Sequence, residues 1–252
     1  MISRLFPKIA REPQASLPAG LRLYAIGDIH GRLDLLERLL AQIDEDDARR
    51  PAAETRLIFL GDLIDRGPDS MAVVERLRQL CAERPATTIL LGNHEEVFLL
   101  ALKGDLKALD FFARIGGRET ILSYGVSEHD YCELETPELL AALQARVPAS
   151  HVDFLQGFEN MVVHGDYAFV HAGVRPAVPL AQQRLSDLRW IRDEFIDHRG
   201  DLEKVIVHGH TIADKVEVRR HRIGLDTGAY ASGVLTAMGF EGSDRWVIQA
   251  QA

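Results

Sequence analysis

Short apolar runs that each break on glycine and polar residues constrain this chain most. Arg22-Leu23-Tyr24-Ala25-Ile26 stops at Gly27-Asp28, and Arg56 to Leu60 stops at Gly61-Asp62. Thr88-Ile89-Leu90-Leu91 stops at Gly92-Asn93, Tyr167 to Val170 stops at His171, and Val205 to Val207 stops at His208-Gly209-His210. Runs of this length, apolar on both faces, read as buried strands. Between the early runs, residues 33–44 and 70–81 carry apolar residues at helical spacing. Strand–helix alternation up to Leu100 predicts βαβ units. The last third instead predicts consecutive strands at 216–218, 222–225, 234–240 and 245–249. The fold class expected is an α/β two-sheet β-sandwich flanked by helices. We expect one domain over 1–252, with an N-terminal extension at 1–20 and a mainly helical insertion or cap at 104–158. That insertion contains GGRETILSYG and a helix near 137–146.

With 252 residues the chain is long enough to bury the core of one large domain. A hydrophobic share of 46% and a charged share of 27% suit a globular protein in water. The net charge of -9 argues against nucleic acid as a partner. It leaves room for a small phosphorylated substrate, because the field in a site can oppose the global sign. Cys81 and Cys132 cannot build a disulfide framework, and no Cys/His zinc pattern accompanies them. A cytoplasmic setting without membrane contact is expected: the first residues lack the core and cleavage site of a signal peptide, and no run of about 20 apolar residues is present.

Ligands in open α/β sheets gather outside the carboxyl ends of strands. Those ends here carry Asp28 and His30, Asp62, Asn93 and His94, His171, and His208 and His210. Carboxylate, amide and imidazole groups without thiolate suit two divalent, fairly hard ions, manganese before a structural zinc, with iron, zinc, cobalt or nickel as substitutes. Side chains two apart on extended backbone, as in Asp28-Ile29-His30, share a side and can grip one ion. Asp62 can bridge two ions through its two oxygens. Asn93 adds a neutral oxygen, and His171 and His210 complete the second ion. Asp and Asn also favour ordinary turns; five matching strand ends make coincidence a poor account.

GDIHG (27–31), GDLIDRG (61–67), GNHE (92–95), HAG (171–173) and HGHT (208–211), in this order, resemble the phosphoprotein phosphatase family of dinuclear metallophosphoesterases. The resemblance runs from about residue 21 to residue 240 and implies the calcineurin-like metallophosphoesterase fold. TRLIFLGDLIDRGPDS is similar to the bacterial branch, which holds serine/threonine protein phosphatases and symmetrical diadenosine tetraphosphate hydrolases. By resemblance Asp28, His30 and Asp62 hold the first metal, and Asp62, Asn93, His171 and His210 the second. His94 is then the acid that protonates the leaving group, and Asp65 orients it. Arg66 and Arg192 bind phosphate oxygens, Arg192 from the stretch LRWIRDEF. The reaction implied is direct attack on phosphorus by a metal-bridging hydroxide, so neither cysteine has a required role.

His208 precedes the family's ligand position and reads as structural. Arg192 competes with a plain pairing to Asp193 or Glu194, and Asp226 with a turn. Gly228 and Tyr230 fall near where the family lines its pocket, and Arg114, Arg118 and Tyr124 are candidates to select substrate from the insertion. Many protein phosphatases of the family carry arginine immediately before GNHE; here Leu91 stands there. The leading expectation is a phosphatase for phosphoserine, phosphothreonine or small phosphomonoesters. Its rivals are a symmetrical diadenosine tetraphosphate hydrolase and a non-catalytic binding module of the same fold.

Overall fold

The computed structural model describes residues 14–252. Its elements open with β1 (Leu21–Ile26), α1 (Leu33–Ala48), β2 (Glu54–Phe59), α2 (Ser70–Glu83), β3 (Thr87–Ile89) and α3 (Asn93–Leu102). A helical stretch follows: α4 (Leu106–Phe112), α5 (Arg118–Ser123), α6 (Glu128–Glu133), α7 (Thr136–Gln144) and α8 (Ala149–Gln156). The remainder runs β4 (Met161–His164), β5 (Tyr167–Val170), α9 (Leu185–Trp190), α10 (Asp193–Ile196), β6 (Val205–His208), β7 (Glu217–Val218), β8 (Arg222–Gly224), α11 (Ala229–Ser232), β9 (Val234–Glu241) and β10 (Asp244–Gln251).

Two five-stranded sheets result, in the orders β10-β9-β1-β2-β3 and β4-β5-β6-β8-β7. Within the first, β1, β2 and β3 are parallel and β9 is antiparallel to β1. Within the second, β5, β6 and β8 are parallel. Six parallel strands therefore direct their carboxyl ends, and the loops that follow, to functional use.

The period-two alternation of side chains explains the layering. Leu23 and Ala25 of β1 join Ile58, Tyr167, Phe169, Val207 and Phe240 in a cluster between the sheets. Tyr24 and Ile26, on the other face of β1, join Leu57, Phe59 and the buried stripes of α1 and α2. Ala168, Val170 and Ile206 pack outward on Leu188, Ile191 and Phe195. Strands buried on both faces favour apolar residues on both sides, and the exceptions are paired: buried Arg22 of β1 binds Asp47 and Glu241, and buried Arg222 of β8 binds Glu217.

The helical stretch continues the same outer cluster. Leu109, Phe112, Ile121, Tyr124 and Leu143 share it with α1–α3, and Phe98 stacks on Phe112 at 5.1 Å and on Tyr124 at 5.8 Å. Residues 1–13 of the expected N-terminal extension lie outside the described residues. Leu17, within its remainder, is buried in the inter-sheet cluster and its N–H donates to Gly242 O at 2.8 Å. One strand was not expected: β4 pairs with β5 as a hairpin through residues 164–167. Its run of four residues is half-exposed and too short to announce itself.

Candidate metal centre and active site

Backbone strain marks the site before any side chain is considered. The non-glycine residues with positive φ among the described residues are His30, Asp62, Asp65, Arg66 and His210, at 47°, 49°, 75°, 67° and 63°. All five are candidate site residues. Left-handed conformations cost energy in residues with a Cβ and persist where surrounding contacts enforce them, commonly at functional sites. Glycine does the rest at close approaches. A Cβ on Gly92 would collide with Asp62 Oδ1, and one on Gly209 with Asp28 Oδ1.

Asp62 stands at the centre. Its Oδ2 lies 3.4 Å from His171 Nε2, 3.8 Å from His30 Nε2 and 3.8 Å from His94 Nε2. Two groups of ligand atoms, each within 4.8 Å, share this carboxylate: His30, Asp62 and His94, and Asp62, His171 and His210. Asn93 Oδ1 adds to the second group, 2.9 Å from His171 Nε2, and His210 Nδ1 is 3.2 Å from the same nitrogen. The Asp28 carboxylate accepts the His210 backbone N–H at 3.0 and 3.2 Å, and His94 stands in the first group beside His30 and Asp62.

Hydrogen bonds fix which imidazole nitrogens carry protons. His171 Nδ1 donates to Leu60 O at 2.8 Å and His30 Nδ1 to Ile64 O at 2.7 Å. Each ring, when neutral, then turns the lone pair of Nε2 toward Asp62. At His171 Nε2 the neighbours are Asn93 Oδ1, Asp62 Oδ2 and His210 Nδ1, an arrangement rich in acceptors and short of donors. His210 Nε2 is buried without a partner. Such a set is what a cation requires, and these residues fit a pair of divalent ions on that chemistry.

The charges agree. Burial lowers His30 to about 3 and His210 to about 2, which keeps both in the neutral form that ligates metals. Burial alone would raise Asp62, but the imidazoles of His171, His94 and His30 hold it well below the usual carboxylate range. Burial and the neighbouring Asp226 and Asp62 carboxylates push Asp28 well above it. Glu95 is pushed up to about 7 by burial and by Asp62. Four backbone N–H groups, those of Gly92, Asp62, Leu63 and Ile64, donate to its carboxylate and brace the strained turn after β2.

His94 Nδ1 is 2.6 Å from Asp65 Oδ2. Burial opposes a proton on this imidazole, yet the Asp62 and Asp65 carboxylates raise its pKa. The Arg66 guanidinium spans His30 Nε2 and His94 Nε2 at 2.9 and 3.1 Å, and lies over the Tyr230 ring with its carbon 5.0 Å from the centroid. No carboxylate pairs with Arg66 among the described residues. Arg192 is exposed, and its charge reaches the site by depressing His210. The alternative pairing is absent: Glu194 binds Arg175 at 2.6 Å, and no ion pair joins Arg192 to Asp193 among the described residues.

Some sequence candidates fall elsewhere. His208 is buried with its ring 5.0 Å from that of Phe195 and its Nδ1 donating to Gly209 O at 3.0 Å, outside both ligand groups. Arg118 pairs with Glu119 and Glu128, and Tyr124 is buried with its hydroxyl 2.9 Å from His151 Nδ1. Both contacts hold the helical stretch together. Arg114 is exposed, 5.9 Å from the Phe111 ring. Asp226, read from sequence as a turn former, does accept the Gly228 N–H at 2.8 Å, but its other oxygen is buried without a partner and its charge bears on Asp28.

Relatives resemble this chain in sequence and in fold. A bis(5'-nucleosyl)-tetraphosphatase, symmetrical, of Methylococcus capsulatus is 32% identical over 190 residues, 75% of this chain but 52% of that protein. The chain thus spans about half the length of that relative. Serine/threonine-protein phosphatase 2 of Escherichia coli is 28% identical over 222 residues, covering 85% of this chain and 90% of that one. A crystal structure provisionally named as a diadenosine tetraphosphatase superposes with a TM-score of 0.62 at 21% identity, over 92% of this chain and 99% of that one, a likeness of fold. The pattern of the family described as calcineurin-like phosphoesterase matches residues 21–232. On that match, and on a ligand set built for divalent ions, the chain belongs to the calcineurin-like phosphoesterases.

Proposed function

We propose that the chain hydrolyses phosphomonoesters, those of serine and threonine in proteins or of small molecules, directly onto water. One observation carries the reading: an acceptor-rich set centred on Asp62 lies under an arginine fork that has no acid partner. Asp28, His30 and Asp62 would hold one ion, and Asp62, Asn93, His171 and His210 the other, with manganese the preferred metal. When bound, the pair lowers the pKa of water and offsets the charge of the phosphoryl group in flight.

The chain's own residues supply the rest. Arg66 and Arg192 bind phosphoryl oxygens, for which the planar guanidinium is suited. As the ester P–O bond breaks, His94 gives its proton to the departing oxygen, so the products are an alcohol and inorganic phosphate. Asp65 keeps the imidazole turned and stabilises its charge. No side chain is phosphorylated on this route. Cys81 and Cys132 are both free thiols and neither belongs to the ligand groups.

A second reading, symmetrical cleavage of a dinucleoside tetraphosphate, is favoured by Leu91. This side chain is half-buried against the apolar cluster and offers no charge beside the site. Inorganic phosphate released from a phosphothreonine peptide, and ADP formed from diadenosine tetraphosphate, measured at equal substrate concentration with added manganese, separate the two. Faster turnover of the peptide is expected. Preference for the dinucleotide with ADP as product would replace the first reading by the second, and no turnover of any phosphoester would leave a binding module.

A further inference from the structure

Asp65 and Arg66 are consecutive residues in the left-handed region, and such a pair holds only where neighbours enforce it. Both of its backbone N–H groups are bound by the helical stretch rather than by the sheets. Asp65 N donates to Thr120 Oγ1 at 2.9 Å, and Arg66 N donates to Gly116 O at 2.9 Å. Ser70 Oγ, at 3.0 Å, shares the Asp65 N–H. Gly116 itself has φ of 116°, and a Cβ there would lie 2.6 Å from Arg66 Cγ, so only glycine lets the two segments meet.

Thr120 reaches Asp65 a second time. Its hydroxyl donates to Asp65 Oδ1 at 2.5 Å, while Oδ2 is the oxygen that faces His94 Nδ1 at 2.6 Å. Thr120 Oγ1 also stands 2.9 Å from Ser70 Oγ. Thr120 is fully buried, and Ile121 beside it belongs to the cluster that α1–α3 share. The carboxylate is gripped on both oxygens and at its own N–H. Rotation about the terminal torsion of an aspartate is otherwise broad.

We propose that Thr120 is a positioning residue for the leaving-group acid. By fixing both the backbone and the carboxylate of Asp65, it sets the angle at which His94 meets the ester oxygen. The helical insertion is thereby part of the proton-transfer apparatus as well as a neighbour of the phosphate clamp, through Gly116 and Arg66. The inference rests on reading His94 as the acid.

The test compares two esters that differ in their need for that proton: phenyl phosphate, whose leaving group is poor, and p-nitrophenyl phosphate, whose phenolate leaves unprotonated. Acid catalysis contributes on the order of a hundredfold or more, so a displaced acid in Thr120→Val should cost phenyl phosphate turnover about tenfold to a hundredfold. Turnover of the nitrophenyl ester should change little, manganese content should match the wild type, and Thr120→Ser should restore the phenyl ester. If the valine variant does not fold, Thr120→Ala against Thr120→Ser reads the same ratio. Equal losses on both esters, or no loss, overturn the role of Thr120. His94→Asn measured alongside separates the two levels: an equal loss on both esters there removes the acid reading itself, whereas a selective loss there with none at Thr120 removes only this inference.

Discussion

His94→Asn is expected to lower kcat on phenyl phosphate by about 10²–10⁴, the usual contribution of a general acid, with manganese still bound. The selectivity follows from where the imidazole stands. Its Nδ1 is tied to Asp65 at 2.6 Å, so only Nε2 faces the centre, where Arg66 and Asp62 meet it. Asparagine is close in size and keeps a polar group beside Asp65, and the His94 backbone N–H remains on Asp62 Oδ1, 3.2 Å away. The ligand carboxylate therefore keeps its brace while the proton source is lost. Phenyl phosphate kinetics and metal analysis on the same preparation check this. Unchanged kcat would contradict the acid role, and loss of metal along with activity would make His94 a ligand, as its place in the first ligand group permits.

Asp62→Asn should have a larger effect, on the metals themselves. Losing an outer partner of a ligand costs about 10–100-fold in metal affinity, and a carboxylate common to both ligand groups should cost more. The fold should survive, because the asparagine oxygen can still accept the His94 N–H. Its amide can in turn donate toward His171 Nε2, now 3.4 Å from Asp62 Oδ2. Metal analysis after dialysis, with a urea melt as control, decides it. Full occupancy by both ions in Asp62→Asn would refute bridging.

The candidate metal ligands could be picked out in the sequence because each sits just after a strand whose apolar run could be read by eye. Asp28, Asp62, Asn93, His171 and His210 needed only local patterns, and parallel pairing brought their loops together. The supports of Asp65 and His94 were not legible for the opposite reason. Thr120 is 55 positions from Asp65, inside a helix, and nothing local distinguishes it from any buried threonine. Gly116 likewise shows its purpose only where Arg66 arrives. Glu95 had a signal: it is the third residue of α3, the position at which a glutamate reaches back to cap the turn before a helix. Quoted as part of GNHE, it passed as motif rather than as the brace of Asp62. The partners of Arg118 and Tyr124 were not legible either, since a charge or a hydroxyl in an insertion carries no mark of the side to which it turns.

The central claim is that Asp62 unites two ions in one centre. Electron paramagnetic resonance of the manganese-loaded wild-type chain, with the bound metal counted in the same sample, tests it most directly. Two equivalents per chain with the signal of a spin-coupled pair is the result the geometry predicts. A single equivalent giving the six-line spectrum of an isolated ion would contradict it.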